Sequence, residues 1–362
     1  MGVQRILRLC GGMIETEGTA GRAVYRHLNR KRALYLGISL GAVIAVFFVN
    51  MLVNLAAGPE AGIRALFDPD SVPRSVYNIM HYYRLPESCF GLLAGIALGV
   101  AGAEMQTVLN NPLSEPYTLG ISAAASFGAA LSIAFGIGAG FLGGYSTIVL
   151  AFAFAMLVCL IVSTVASRRS VGPTTTILMG VAMLFFFQSL VSLVQALTSK
   201  DAATGIMFWM FGSIGRDSSY EDICLLAAVI IICTIFFAIN IWSLTSLKLG
   251  DAKVGSMGID VTRLRRNTIL GVSVLTATVV SFTGTIGFVG LVGPHVARML
   301  VGEDQRFFLP MSALCGAAMV LSASIICKVL PFTSILPIGV VTSLIGVPFF
   351  VYLILRRRSV IG

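Results

Sequence analysis

The run Arg84-Leu85-Pro86-Glu87-Ser88-Cys89-Phe90-Gly91-Leu92-Leu93-Ala94-Gly95-Ile96-Ala97-Leu98-Gly99-Val100-Ala101-Gly102-Ala103-Glu104-Met105-Gln106 decides the fold class. Spanning a bilayer as a helix takes about 20 predominantly apolar residues, and positions 86–105 supply them. Gly91, Gly95 and Gly99 stand four apart, so on a helix they share a face. Such a stripe lets a neighbouring helix approach closely. Nine further apolar runs fall at about 33–56, 117–138, 142–166, 174–197, 222–243, 267–285, 288–301, 308–330 and 337–355. The prediction is an all-α, polytopic membrane protein of about ten transmembrane helices. The eighth run is too short to span alone, and only Gly284 and Gly287 part it from the seventh.

Composition agrees. Of 362 residues, 57% are hydrophobic and 11% charged, with a mean hydropathy of +0.92. Soluble domains carry about 25% charged residues, so a soluble globular enzyme is excluded. Disorder, which needs low hydrophobicity, is excluded as well. Thirty-eight glycines and twelve prolines suit membrane helices. The seven cysteines are scattered through apolar runs without a C-x-x-C pair, indicating neither a zinc site nor a disulfide framework.

The net charge of +9 is a matter of orientation, and no nucleic-acid partner is expected. With ten spans and an inner N-terminus, 19 of the 25 Lys and Arg residues fall inside. The outside keeps Arg64, Arg74, Arg84, Lys200, Arg216 and Lys328. Residues 1–32, basic and without a small-residue cleavage site, read as a cytoplasmic tail. The ten-helix domain is expected over 33–356, and 357–362 as a second cytoplasmic tail. No soluble domain is expected, which makes the chain the membrane part of an assembly.

Reactive chemistry is sparse. There is no G-x-x-x-x-G-K-[ST] loop, no H-E-x-x-H pair and no G-x-S-x-G elbow. No catalytic residue and no metal ligand is predicted. Glu104, Glu87 and Lys328 are placed near span ends, where each is expected to snorkel to an interface. Proton-driven carriers place acids deep in the membrane, so an ion-coupled secondary transporter is kept only as the rival reading.

Three stretches depart from plain apolar helix. The first runs from Arg84 through Asn111-Pro112-Leu113 to Leu119-Gly120-Ile121-Ser122; its proline breaks the helix at the inner face, as a turn or as a gate. The second, Leu249-Gly250-Asp251 with Met257-Gly258-Ile259, reads as a short glycine-capped helix followed by another, suited to docking a soluble partner. The third is Gly284-Thr285-Ile286-Gly287-Phe288-Val289-Gly290-Leu291-Val292-Gly293-Pro294-His295-Val296-Ala297-Arg298, with Leu336-Pro337-Ile338-Gly339-Val340 beyond it. Asn111-Pro112 and Gly293-Pro294 look like matching broken turns in two inverted halves.

Together these stretches resemble the FecCD-type permeases, membrane subunits of ABC importers for ferric siderophores, haem and vitamin B12. The resemblance runs from about Arg84 to the C-terminus. It rests on R-L-P, G-A-x-M-Q, N-P-L, W-M-x-G (Trp209 to Gly212), the L-G-x(6)-M-G loop, G-F-V-G-L-V-x-P-H-x-x-R and P-I-G-V-V-T, in that order. It implies the type II ABC importer fold, ten helices per subunit, in a homodimer or with a close paralogue in the inner membrane, both termini cytoplasmic. An ATP-binding cassette ATPase holds ATP and magnesium, and this chain holds no cofactor. A periplasmic or lipid-anchored substrate-binding protein is the outer partner. By the same resemblance Leu249, Gly250, Asp251, Val254, Met257 and Gly258 form the ATPase-coupling loop. Asn111, Leu113, Pro173 and Thr174 resemble cytoplasmic gates, and Arg84 and Lys328 meet the binding protein. The expected substrate is a ferric siderophore, ahead of haem and cobalamin. Three positions depart from the pattern: Glu87 stands for a second Arg, Ser324 for an Asp four residues before Lys328, and Val254 for a small Ala.

Overall fold

The computed structural model describes residues 2–166, 172–214, 219–330 and 336–358. It is 86% helical, with no strand among the described residues. The helices are α1 (Gly2–Leu52), α2 (Gly58–Phe67), α3 (Arg74–Ile79), α4 (Leu85–Val108), α5 (Ile121–Phe135), α6 (Ala139–Leu142), α7 (Ser146–Ala166) and α8 (Pro173–Leu197). After them come α9 (Lys200–Met210), α10 (Tyr220–Ile239), α11 (Ile241–Ser246), α12 (Asp251–Ser256), α13 (Val261–Thr283), α14 (Val289–Val301), α15 (Gln305–Val329) and α16 (Ile338–Arg358). Each of the ten apolar runs falls on a helix: α1, α4, α5, α7, α8, α10, α13, α14, α15 and α16. Among the described residues six helical stretches are long and apolar enough to cross a membrane. The 13 residues of α14 reach only about 20 Å, short of a bilayer core of about 30 Å.

α4 is the axis of the bundle, packed against α15, α13, α14 and α10. From Ala97 to Val108 every residue is buried, as expected of a helix apolar on all sides. Its glycines are contact points for backbone. A Cβ on Gly95 would lie 2.6 Å from Ala317 Cα, and one on Gly99 would collide with the Ser312 carbonyl. The partner glycine on α15, Gly316, abuts the Gly95 carbonyl in return. α1 lies on the other side of α15, with Val43 against Ala317 and Leu321. The 57–84 connection is itself folded, α2 and α3 burying Ala65, Val76 and Met80 with Met51.

The break in the second half lies upstream of its expected place. Gly293-Pro294 is inside α14; the chain turns instead at Gly284 (φ +70°) and Phe288 (φ +67°). Pro294 leaves the Gly290 carbonyl without its usual helical donor, and that carbonyl faces Gly102, where no side chain intervenes. The Gly-Thr-Ile-Gly break is stitched by protein backbone. Ser213 N donates to Thr283 O at 2.7 Å, Ile338 N to Gly212 O at 3.2 Å, Gly339 N to Phe211 O at 3.1 Å, and Thr285 Oγ1 to the Met210 carbonyl. Irregular backbone at membrane depth is tolerated when protein groups satisfy it, which here brings three distant motifs to one point.

Candidate functional site

The polar features gather at the two ends of the bundle. At the basic-rich end, a turn over Leu247–Leu249 closes at Gly250 (φ +91°), α12 follows, and Gly258 (φ +83°) turns the chain into α13. Asp260 caps α13, its Oδ1 accepting from Arg263 N at 3.0 Å. Leu249, Gly250, Asp251, Met257 and Gly258 are exposed. Val254 is the opposite: wholly buried, it anchors α12 in the core. Its extra bulk over Ala therefore fills space inside this chain and offers no surface to a partner, contrary to the expectation from sequence. Arg265, missed in the sequence, is the second anchor. Its Nε donates to the Val108 carbonyl at 3.2 Å and its Nη2 to Asp251 at 3.1 Å, tying α12 to the end of α4.

A polar network lies beside that anchor. Gln106 of α4 donates to Leu291 O at 3.4 Å and accepts from Arg298 Nη2 at 2.9 Å. Arg298 Nε and Lys248 Nζ both pair with Glu303, at 3.1 and 3.0 Å. Gln305 donates to Thr107 Oγ1 at 2.6 Å. Burial holds the Lys248 ammonium's pKa below its ordinary value, with Glu303 offsetting part of it. Burial also raises the Glu303 carboxyl, but the hydrogen bond and charge of Lys248 and the charge of Arg298 outweigh it and hold it below the usual range. Gln106 and Arg298 belong to two of the sequence motifs, a signal that marked the positions but not their meeting. Glu104 does not snorkel: it is wholly buried in α4, and neither carboxylate oxygen has a hydrogen-bond partner among the described residues.

α4 ends at Leu109, and Asn110 adopts φ +45°. Asn111 then organises the turn, its Oδ1 accepting from Leu113 N at 3.0 Å and its carbonyl from Ser114 N at 3.1 Å. Leu113 stands 38% exposed. Pro173 opens α8 with Gly172 as its cap, and Thr174 is exposed. About two turns further along α8, Gly180 meets the turn after Asn111: a Cβ there would lie 2.7 Å from Leu119 Cα. Burial raises the pKa of Glu115 to about 7, with a hydrogen bond from the Phe288 backbone, at the start of α14, offsetting part of it. The stretch from Asn111 to Leu119 is thus braced by both α8 and α14.

At the opposite end, Arg84 and Lys328 differ. Arg84 is half-buried and donates to the Asn54 carbonyl at 3.2 Å. Lys328 keeps only 11% of its side chain exposed, because its Nζ pairs with Glu87 at 3.1 Å and donates to Asn50 O and Oδ1 at 3.0 and 2.9 Å. This explains two departures at once. An Asp at 324 would sit one helical turn before Lys328 and neutralise it. With Ser324 there, Glu87 supplies the charge from α4. Glu87, too, is engaged within the protein.

Toward this same end α4, α5, α7, α9, α10 and α13 line an open cavity of about 580 Å³ whose walls include Phe90, Phe208, Trp209 and Phe282.

A bundle wound on a glycine-striped, buried helix, with several membrane-length apolar helices around it, is the architecture of a polytopic membrane protein. The chain belongs to the FecCD transport family, whose model matches residues 36–356. It is 32% identical to the Fe(3+) dicitrate transport system permease protein FecC of Escherichia coli K12, covering 90% of this chain and 97% of that one. It is also 32% identical to the cobalamin import system permease protein BtuC of Halobacterium salinarum, over 80% of this chain and 76% of the relative. Among solved structures, a metal-chelate type ABC transporter in an inward-facing conformation shares the fold at a TM-score of 0.78 and 25% identity, covering 90% of this chain and 99% of that one. The protein is accordingly a permease subunit of the ABC importer class.

Proposed function

We propose that this permease carries a ferric siderophore into the cell, in a pair of subunits, each standing on an ATP-binding cassette ATPase. The exposed jointed segment 247–260 supports the reading most strongly. Two positive-φ glycines flank a short helix attached to the bundle through Val254 and Arg265, so a push on Leu249 or Met257 is delivered to α4 and α13. The excess of basic residues supports a cytoplasmic position for this end and for both termini. Leu113 closes the pathway against its symmetry mate, and Asn111 shapes the loop that carries it. Outside, Arg84 meets an acidic residue of a lipid-anchored or periplasmic binding protein, while Lys328 holds the local structure. ATP hydrolysis in the partner shifts the balance between inward-open and outward-open states, and this chain performs no bond chemistry.

The test is reconstitution in vesicles with the candidate ATPase and binding protein, measuring ATP hydrolysis and uptake of a radiolabelled ferric siderophore. Hydrolysis stimulated by the loaded binding protein, together with ATP-dependent uptake, is the expected result. Uptake of cobalamin or haem in preference would overturn the substrate, and failure to bind any ATPase would overturn the coupling.

A further inference from the structure

The carboxylate of Glu104 is the least explained group in the protein. It is wholly buried, and both oxygens lack hydrogen-bond partners among the described residues. Interiors seldom leave such a group unmatched, and each instance calls for a reason. The resemblance supplies none, since position 104 is the open place in G-A-x-M-Q. Lys248, half-buried on a turn beside α4, is a cation within electrostatic reach of it. Lys248 rides on the turn Leu247–Leu249, which packs against α4 immediately before the joint at Gly250.

In the present arrangement Lys248 is turned to Glu303, 3.0 Å from its carboxylate and 2.9 Å from its carbonyl. Glu303 is 52% exposed and already paired with Arg298 at 3.1 Å. The ammonium thus has two acids within its surroundings: an exposed one with a second cation, and a buried one with none. We propose that Lys248 is a two-position latch, bound to Glu303 in the state described here and to Glu104 in the other state of the transport cycle. This rests on segment 247–260 being the coupling element. When Lys248 leaves, Arg298 and solvent keep Glu303 satisfied. On arrival it gives Glu104 a partner where low polarity makes the attraction strong. Its long flexible stem allows the exchange to accompany a small shift of the turn. Two discrete pairings make the segment bistable, which converts a small push into a switch.

The test uses the complete complex with its ATPase in vesicles. Spin labels at Ser256→Cys and Leu28→Cys, both exposed, are placed in a background without other cysteines. The distance distribution is followed against nucleotide concentration. Glu104→Gln removes only the second pairing, so about tenfold more nucleotide should be needed at the midpoint. Glu303→Gln removes the Lys248 carboxylate pairing, and that of Arg298 with it, while leaving the contact to the Glu303 carbonyl, and should lower the midpoint. In a Lys248→Met background, Glu104→Gln should change nothing further. Shifts of the same sign for the two glutamine variants, or a Glu104→Gln effect that survives Lys248→Met, would overturn the latch while leaving the permease reading intact. A wild-type complex that hydrolyses ATP without any change in distance would instead reject segment 247–260 as the coupling element, and the latch with it.

Discussion

Asn50 illustrates how much one residue carries in a membrane bundle. Wholly buried, it donates to Leu321 O at 3.1 Å, accepts from Ser88 Oγ at 2.9 Å, and receives the Lys328 ammonium, joining α1, α4 and α15. The fifth member, Glu87, has only Lys328 as an ion-pair partner among the described residues. Glu87→Gln leaves a largely buried cation without its counter-charge and should cost about 2 kcal/mol, seen as a lower thermal midpoint in detergent. Ser324→Asp, one turn before Lys328, should restore most of that loss. A double variant no more stable than Glu87→Gln would show that Glu87 does not stand in for the missing aspartate. Arg265 makes a parallel case at the other end. Lysine cannot reproduce its forked grip on Val108 O and Asp251. Arg265→Lys should leave the bundle folded but speed amide exchange across Asp251–Ser256 several-fold, as read by mass spectrometry.

Among the elements, α4 shows why glycine is placed where it is. The same residue type has two different meanings in this chain, and the surroundings decide which. On Gly99 a Cβ would enter the Ser312 backbone, whereas on Gly41 of α1 it would meet nothing within 4 Å. Gly99→Ala should therefore force α4 and α15 apart and cost about 3 kcal/mol, while Gly41→Ala should be neutral or stabilising by up to about 1 kcal/mol through helix propensity. Thermal midpoints of the two variants, measured side by side, decide it. Equal midpoints would mean that α4 and α15 can separate without cost. α14 makes a related point: its proline is absorbed because the helix sits against Gly102, and the turn expected there falls instead at Gly284 and Phe288.

At the scale of the molecule, the gate proposed at Leu113 closes on a symmetry mate, so one chain would carry only half of it. Leu113 is exposed here, as a residue must be if its partner is another copy. Leu113→Cys in a background free of other cysteines should cross-link between two subunits in one nucleotide state and not in the other. A yield independent of nucleotide would leave Asn111-Pro112-Leu113 a structural turn. Leu113→Ala should fold normally, because the side chain lies outside the hydrophobic core clusters, yet uncouple uptake from ATP.

Much was legible without coordinates. All ten apolar runs became helices, since burial in lipid leaves a backbone little choice but to satisfy its own hydrogen bonds. The glycine stripe and both joints of the 247–260 segment were readable too, because spacing on a helix and positive φ are local properties. Four things were not readable: that Val254 points inward, that Glu104 is buried rather than at an interface, that Lys328 is held by Glu87, and that Arg265 bridges Val108 and Asp251. Each depends on where a second helix lies, and partners 157 or 192 residues apart, such as Arg265 with Val108 or Arg298 with Gln106, leave no periodic trace in either segment. Sequence by itself determined the class, the helices and the segments that bend, because those follow from the chain's own periodicity and backbone chemistry. Only the tertiary structure decided which charges are neutralised inside the protein and which remain to meet a partner, because burial and pairing are properties of two surfaces brought together.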